Sequence, residues 1–270
     1  MLRPLLAASV VAATLAGCLS PAPEQVVAAS TLLPDVLPKR VASANGIVDP
    51  DGGQGEPSLG ITADGVLWTH GRSTRGLPAV PVFGGLLNRG GGTVYRSADE
   101  GITWEKVATP HLFPDLDPDL AVDKDGVIWD DILYVGCNSV AVSRDDGATW
   151  ATHPAVCNLP IGDRQYVIPT SGGTAYLYFH QLPTFQQTGM KTTDYGRTWI
   201  PTGPMEGLAP HHLLTDEGSG WGGGGFWNEK RDSVWATYTW FEGGLSDGAW
   251  YPAASVTRDG GTTWEVLKLE

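Results

Sequence analysis

The chain has 270 residues, 41% of them hydrophobic, with 36 glycines, 20 prolines and 11 tryptophans, enough for a substantial core interrupted by many tight turns. Its formal charge is −13, from 17 Lys and Arg against 30 Asp and Glu. Sequence-independent nucleic-acid binding needs a basic face, so no nucleic-acid partner is expected, and the acidity reads as solubility. No stretch sustains helical periodicity, whereas short Val/Ile/Thr/Tyr/Trp runs recur between Gly, Asp and Asn clusters, which is an all-β pattern.

Arg3 precedes an apolar run from Leu5 to Leu15, closed by Leu15-Ala16-Gly17-Cys18. A basic residue, a short apolar segment and small residues before a cut predict a secretory signal over 1–17, too short to span a bilayer comfortably. Cys after Leu-Ala-Gly resembles the bacterial lipoprotein signal. That resemblance implies that Cys18 receives the lipid and becomes the new N-terminus, so the protein is expected on the cell envelope, held to the membrane by its anchor alone. An ordinary signal peptide with a chance Cys is the alternative. Residues 18–45, rich in Pro, Ala, Ser and Val without a period, read as a semi-extended tether.

The remainder, 46–270, is repetitive. Four octets share one pattern, Ser97 to Trp104, Ser143 to Trp150, Thr192 to Trp199 and Thr257 to Trp264, each ending in Gly-x-Thr-Trp. In each, the Asp (Asp99, Asp145, Asp194, Asp259) can accept from backbone N–H groups just downstream, and the Gly (Gly101, Gly147, Gly196, Gly261) supplies a left-handed position. The Trp (Trp104, Trp150, Trp199, Trp264) then returns to the core. Upstream of each octet lies a second repeat: Glu56-Pro-Ser-Leu59, Asp117-Pro-Asp-Leu120, Asp163-Arg-Gln-Tyr166 and Pro210-His-His-Leu213. Second strands are predicted over 66–69, 127–135 (broken at Asp130-Asp131), 175–180 and 234–240. Each unit is therefore an inner strand, a turn, a second strand, a connection, a third strand, the octet turn and a fourth strand. Four antiparallel strands in about 50 residues make a propeller blade.

The octets resemble the Asp-box (BNR) repeats of the sialidase superfamily, over about residues 46–270. The resemblance implies a β-propeller and leaves activity open, because Asp boxes also occur in non-enzymatic propellers. Sialidase-like propellers have six blades, and four are visible here. A four-bladed ring, a truncated six- or seven-bladed propeller, and a partial propeller that closes by oligomerising are the alternatives. The family's Arg-Ile-Pro motif is absent: Arg40 is followed by Val41-Ala42. Tyr238 and Glu229 are present, but nothing around them assigns them the family's nucleophile and assisting-acid roles.

The Asp-box carboxylates are expected to be structural, in outer turns. Chemistry is expected where the inner strands begin, at the channel mouth. Glu56, Asp117 and Asp163 share one level there, Ser58, Asp119, Gln165 and His212 the next, with Arg164 and His211 between. This carboxylate-rich ring could bind Ca²⁺ through oxygen, although no cofactor is required. Asp117, Asp163 and Glu56 could also be the paired carboxylates of a glycosidase, or the polar groups could simply bond backbone and channel water. The connections after the second strands also border the mouth. They carry Arg72, Arg75 and Arg89 in the first, His180-Gln181 and Phe185 in the third, and Trp240-Phe241-Glu242 in the fourth. Gly147 lies midway between Cys137 and Cys157, which places the two cysteines opposite each other in a hairpin, and an oxidising compartment predicts a disulfide between them. Three functions follow: a non-catalytic surface propeller binding an extracellular glycan or protein, which is preferred; an exo-glycosidase of sialidase type; or a periplasmic or surface assembly factor.

Overall fold

In this computed structural model residues 48, 54–73, 92–108, 110, 111, 117–134, 137–157, 162–181, 186–205, 217–242 and 248–268 are described, all within the unit Ala44–Glu270. The signal and tether of 1–45 lie outside them. Sixteen strands form four antiparallel sheets, each a meander of four consecutive strands. The first sheet holds β1 (Gln54–Ile61), β2 (Leu67–Ser73), β3 (Thr93–Ser97) and β4 (Glu105–Ala108). The second holds β5 (Pro118–Val122), β6 (Ile128–Tyr134), β7 (Cys137–Ser143) and β8 (Ala151–Cys157). The third holds β9 (Gly162–Pro169), β10 (Ala175–Gln181), β11 (Gln186–Thr192) and β12 (Ile200–Pro201). The fourth holds β13 (Glu217–Asn228), β14 (Ser233–Glu242), β15 (Ala249–Thr257) and β16 (Glu265–Lys268). Apart from a short 3₁₀ turn at Glu229–Arg231, the described residues are strands, turns and loops. The chain is a β-propeller of four-stranded blades.

The octets close the outer hairpins, and four times the same bonds appear. Asp99 accepts from the Thr103 N–H at 2.8 Å and from the Thr103 hydroxyl at 2.6 Å. The Ser97 hydroxyl donates to Asp99 and accepts from the Gly101 N–H at 2.9 Å. Asp145, Asp194 and Asp259 repeat the set with Thr149, Thr198 and Thr263. Two successive left-handed residues make each turn, Glu100-Gly101, Asp146-Gly147, Tyr195-Gly196 and Gly260-Gly261, which is why glycine holds the second place. The indole N–H of Trp104, Trp150 and Trp199 donates to the octet's own Gly carbonyl at 3.0–3.1 Å. Trp264 instead donates to Thr202 of the preceding blade at 3.3 Å.

The blades pack through a repeated contact. Trp68 of the first meets Gly147 of the second; Trp129 of the second meets Gly196 of the third; Tyr176 of the third meets Gly261 of the fourth. Apolar clusters fill the spaces between. Trp68, Val94, Leu120 and Ile128 lie at the first interface, Trp129, Val140, Val142 and Val167 at the second, and Ile168, Tyr176, Tyr178 and Val234 at the third. No comparable packing joins the fourth blade to the first among the described residues.

Two sequence expectations are corrected. Asp130-Asp131 does not break the second strand: β6 runs through both, paired to Leu120 and Asp119 on β5 and to Ala141 and Val140 on β7. Asp130 is accommodated in the strand because His70 and His111 meet its charge. The inner-strand levels also shift. Arg164 sits at a left-handed φ of 52°, and the register slips there, with Tyr166 opposite Tyr178 but Asp163 opposite His180. The bulge takes up one residue, so Tyr166 and not Gln165 corresponds to Asp119. Cys137 and Cys157 are cross-strand partners on β7 and β8, joined as a disulfide.

Candidate functional site

Asp117 and Asp163 meet where the second and third blades begin, their carboxyls in hydrogen-bond contact. Asp163 keeps 22% of its side chain exposed, while its Oδ2 lies 3.3 Å from Nε2 of the fully buried His180. Burial pushes the Asp163 carboxyl up, but His180, and after it Asp117, outweigh that and hold it below the usual carboxylate value. The bulge tilts Gln165 so that its amide donates to the Asp117 carbonyl. Asp117, Asp163 and Arg164, the next residue in the chain, are all partly exposed.

A denser polar group, not foreseen among the candidate residues, is centred on β6. Asp130, wholly buried, is gripped by two histidines: His70 Nδ1 at 2.6 Å and His111 Nε2 at 3.1 Å, their rings stacked with centroids 6.3 Å apart. Burial opposes ionisation of Asp130, but the charge of His70 and the hydrogen bonds of both imidazoles prevail and hold it at about 2. On the other face of β6, Asp131 has no hydrogen-bond partner for either carboxylate oxygen among the described residues. Burial first, then the charges of Asp119 and Asp130, pushes its carboxyl well up. Burial and neighbouring charge therefore favour the neutral form of Asp131. Asp119, its cross-strand partner, accepts from the Val167 N–H at 2.8 Å, yet burial, and after it Asp130, raises its carboxyl to about 7. Ser58 accepts the Leu120 N–H and so ties the first blade to the second.

Of the expected ring, the structure brings Asp117, Asp119, Asp163, Arg164 and Gln165 together. The side chains of Glu56 and Arg72, together with His211, His212, Arg75, Arg89, Phe185 and Cys18, lie outside the described residues. Trp240, Phe241 and Glu242 belong to β14 and not to a loop. Glu229 is at the opposite turn of the fourth blade, paired at 2.7 Å with Lys124, and Tyr238 is buried against Ser255 at 2.7 Å. Among the described residues no group of three or more His, Cys, Asp or Glu side chains is arranged to hold a metal ion.

No protein-family model matches the chain, and no curated protein does. Solved structures do. An α-L-arabinofuranosidase from Fusarium graminearum aligns with a TM-score of 0.55 at 14% identity, over 84% of this chain and 68% of its own. A Hadza microbial sialidase aligns with a TM-score of 0.52 at 19% identity, over 84% of this chain and 48% of its own. An ulvan lyase, from a polysaccharide lyase family, gives 0.52 at 14% identity, over 82% of this chain and 57% of its own. The likeness is one of fold. This chain thus spans from about half to about two thirds of the length of these propellers.

Proposed function

We propose that the chain is an exported, lipid-anchored propeller whose axial mouth binds an extracellular glycan without cleaving it, with Asp117, Asp163 and Arg164 as the contacting groups. The observation that carries this reading is the contact between the Asp117 and Asp163 carboxyls. A retaining glycosidase separates its carboxyls by about 5–5.5 Å and an inverting one by about 6.5–9.5 Å, so that a sugar or a water fits between. Contact between Asp117 and Asp163 fits neither spacing, which argues against a two-carboxylate glycosidase; the rule does not extend to sialidases, which use a Tyr nucleophile. Carboxylates and a guanidinium side by side are instead suited to accepting from and donating to sugar hydroxyls. The octets are, in this reading, Asp boxes, and Cys18 carries the lipid.

A hydrolase of exo-sialidase type is the second reading, favoured by likeness in fold to an arabinofuranosidase, a sialidase and an ulvan lyase. A glycan array and fluorogenic sialosides and arabinofuranosides, all with the purified chain, separate the two. The expected result is array binding weakened tenfold or more by Asp117→Asn or Asp163→Asn, with no turnover. Turnover abolished by either substitution replaces binding with hydrolysis. Retention of a surface protein with no glycan bound supports the assembly role. Loss of labelled fatty acid from a Cys18→Ser variant tests the anchor.

A further inference from the structure

Among the described residues, the first and fourth blades each expose an apolar face. In the first three blades the aromatic at one position of the second strand, Trp68, Trp129 or Tyr176, is covered by the next blade's turn glycine. The fourth blade has Trp235 at that position. It stacks on Phe226, which is 51% exposed, at 5.8 Å between centroids. The open groove beside it is lined by Trp235, Thr237, Thr239, Trp250, Pro252 and Leu267, with Trp250 40% exposed. On the first blade the complementary positions are equally bare. Leu59 and Ile61 are 58% and 57% exposed. Their counterparts on the second blade, Leu120 and Val122, press against Gly60 of the blade before. Isolated exposed apolar residues need no explanation, but two contiguous faces that match by repeat do.

The polar rim matches too. At the second interface the Arg144 guanidinium covers the Tyr195 ring at 4.1 Å; at the third the Lys191 ammonium donates to the Gly260 carbonyl at 2.9 Å. Tyr195 and Gly260 are each the residue after the octet's Asp. In the first octet that residue is Glu100, left-handed and exposed. The octet position of Arg144 is occupied in the fourth blade by Arg258, half-exposed, 6.0 Å from the Trp235 ring and paired at 2.7 Å with Glu265 of its own blade. Arg258, shared with Glu265, therefore stands at the repeat position that faces Glu100 of an arriving first blade.

We propose that two copies of this chain associate head to tail, the Trp235 face of one blade 4 covering Leu59, Ile61 and Gly101 of a second copy's blade 1, with Arg258 against Glu100. A contact between unlike faces closes a dimer when both ends engage, and it covers the apolar faces that each chain alone exposes. Light scattering on the purified chain, carrying Cys18→Ser so that no lipid is attached, gives a mass of at least two chains at micromolar concentration. Arg258→Glu and Glu100→Arg each weaken the association at least tenfold, and both substitutions in one chain restore it. Mixing an Arg258→Cys variant with a Glu100→Cys variant yields a mixed disulfide more than tenfold above either variant alone. A monomer at about 100 μM, failure of the double substitution to rescue, or equal bridging between like variants overturns the proposal. Unchanged circular dichroism confirms that these surface variants fold.

Discussion

Asp130 and Asp131 are chain neighbours with opposite fates. Because successive strand residues face opposite sides, Asp130 meets His70 and His111 whereas Asp131 lies across from another carboxyl, Asp119. One is drawn toward the charged form and the other toward the neutral form by where β6 points them. Their effects on stability run in opposite directions. Asp130 titrates at about 2 when folded against an ordinary 3.8, so its contribution is present above 3.8 and is lost as pH falls through about 2. Asp119 titrates at about 7 when folded against 3.8, so its contribution is full below 3.8 and is lost as pH rises through about 7. Asp131 acts in the same sense as Asp119. The thermal midpoint is expected to drop between about pH 5 and pH 8, and Asp119→Asn is expected to shrink that drop. Calorimetry at the two pH values checks this; an undiminished drop in the variant would show that Asp119 is not its source.

At the level of the strand and turn, the octet geometry explains why the same eight-residue pattern recurs. Its bonds link residues two to four apart in sequence, so the pattern carries its own fold. Its glycines, however, are not equivalent. A Cβ on Gly147 would sit 2.8 Å from the Trp68 ring, whereas one on Gly196 finds its nearest neighbour, Val142, at 3.5 Å. Both pay the left-handed cost of about 1–2 kcal/mol, and Gly147→Ala adds a clash of about 1–3 kcal/mol. Gly147→Ala should therefore unfold at clearly lower urea concentration than Gly196→Ala, and equal midpoints would argue against the packing described. The Cys137–Cys157 link closes a hairpin separated by 20 residues, for which about 3 kcal/mol is expected. Reductant should lower the thermal midpoint of the native chain and leave a Cys137→Ser, Cys157→Ser variant unmoved.

For the molecule as a whole, the mouth and the uncovered blade faces are separate surfaces, so glycan binding and self-association should respond to different substitutions. Arg258→Glu should dissociate copies and leave array binding intact, while Asp163→Asn should do the reverse. Binding is also expected to survive EDTA, since the contacting groups proposed are an Arg and two Asp. A calcium-restored loss would assign the carboxylates a metal after all.

The sequence by itself determined the blades. Octet turns, alternating strands and the hairpin that pairs Cys137 with Cys157 depend on contacts close along the chain, and periodicity records such contacts. It also placed Asp117, Asp163 and Arg164 near one another, because repeats share a register. Tertiary structure alone decided the rest. The Arg164 bulge moved Gln165 off its expected level, since a one-residue slip leaves no mark in composition. Asp130-Asp131 looked like a strand break because the histidines that offset its charge lie 60 and 19 residues away in the chain. The bare faces of the first and fourth blades emerged only once three internal interfaces showed what such a face ordinarily touches, because exposure is a property of packing and not of any residue.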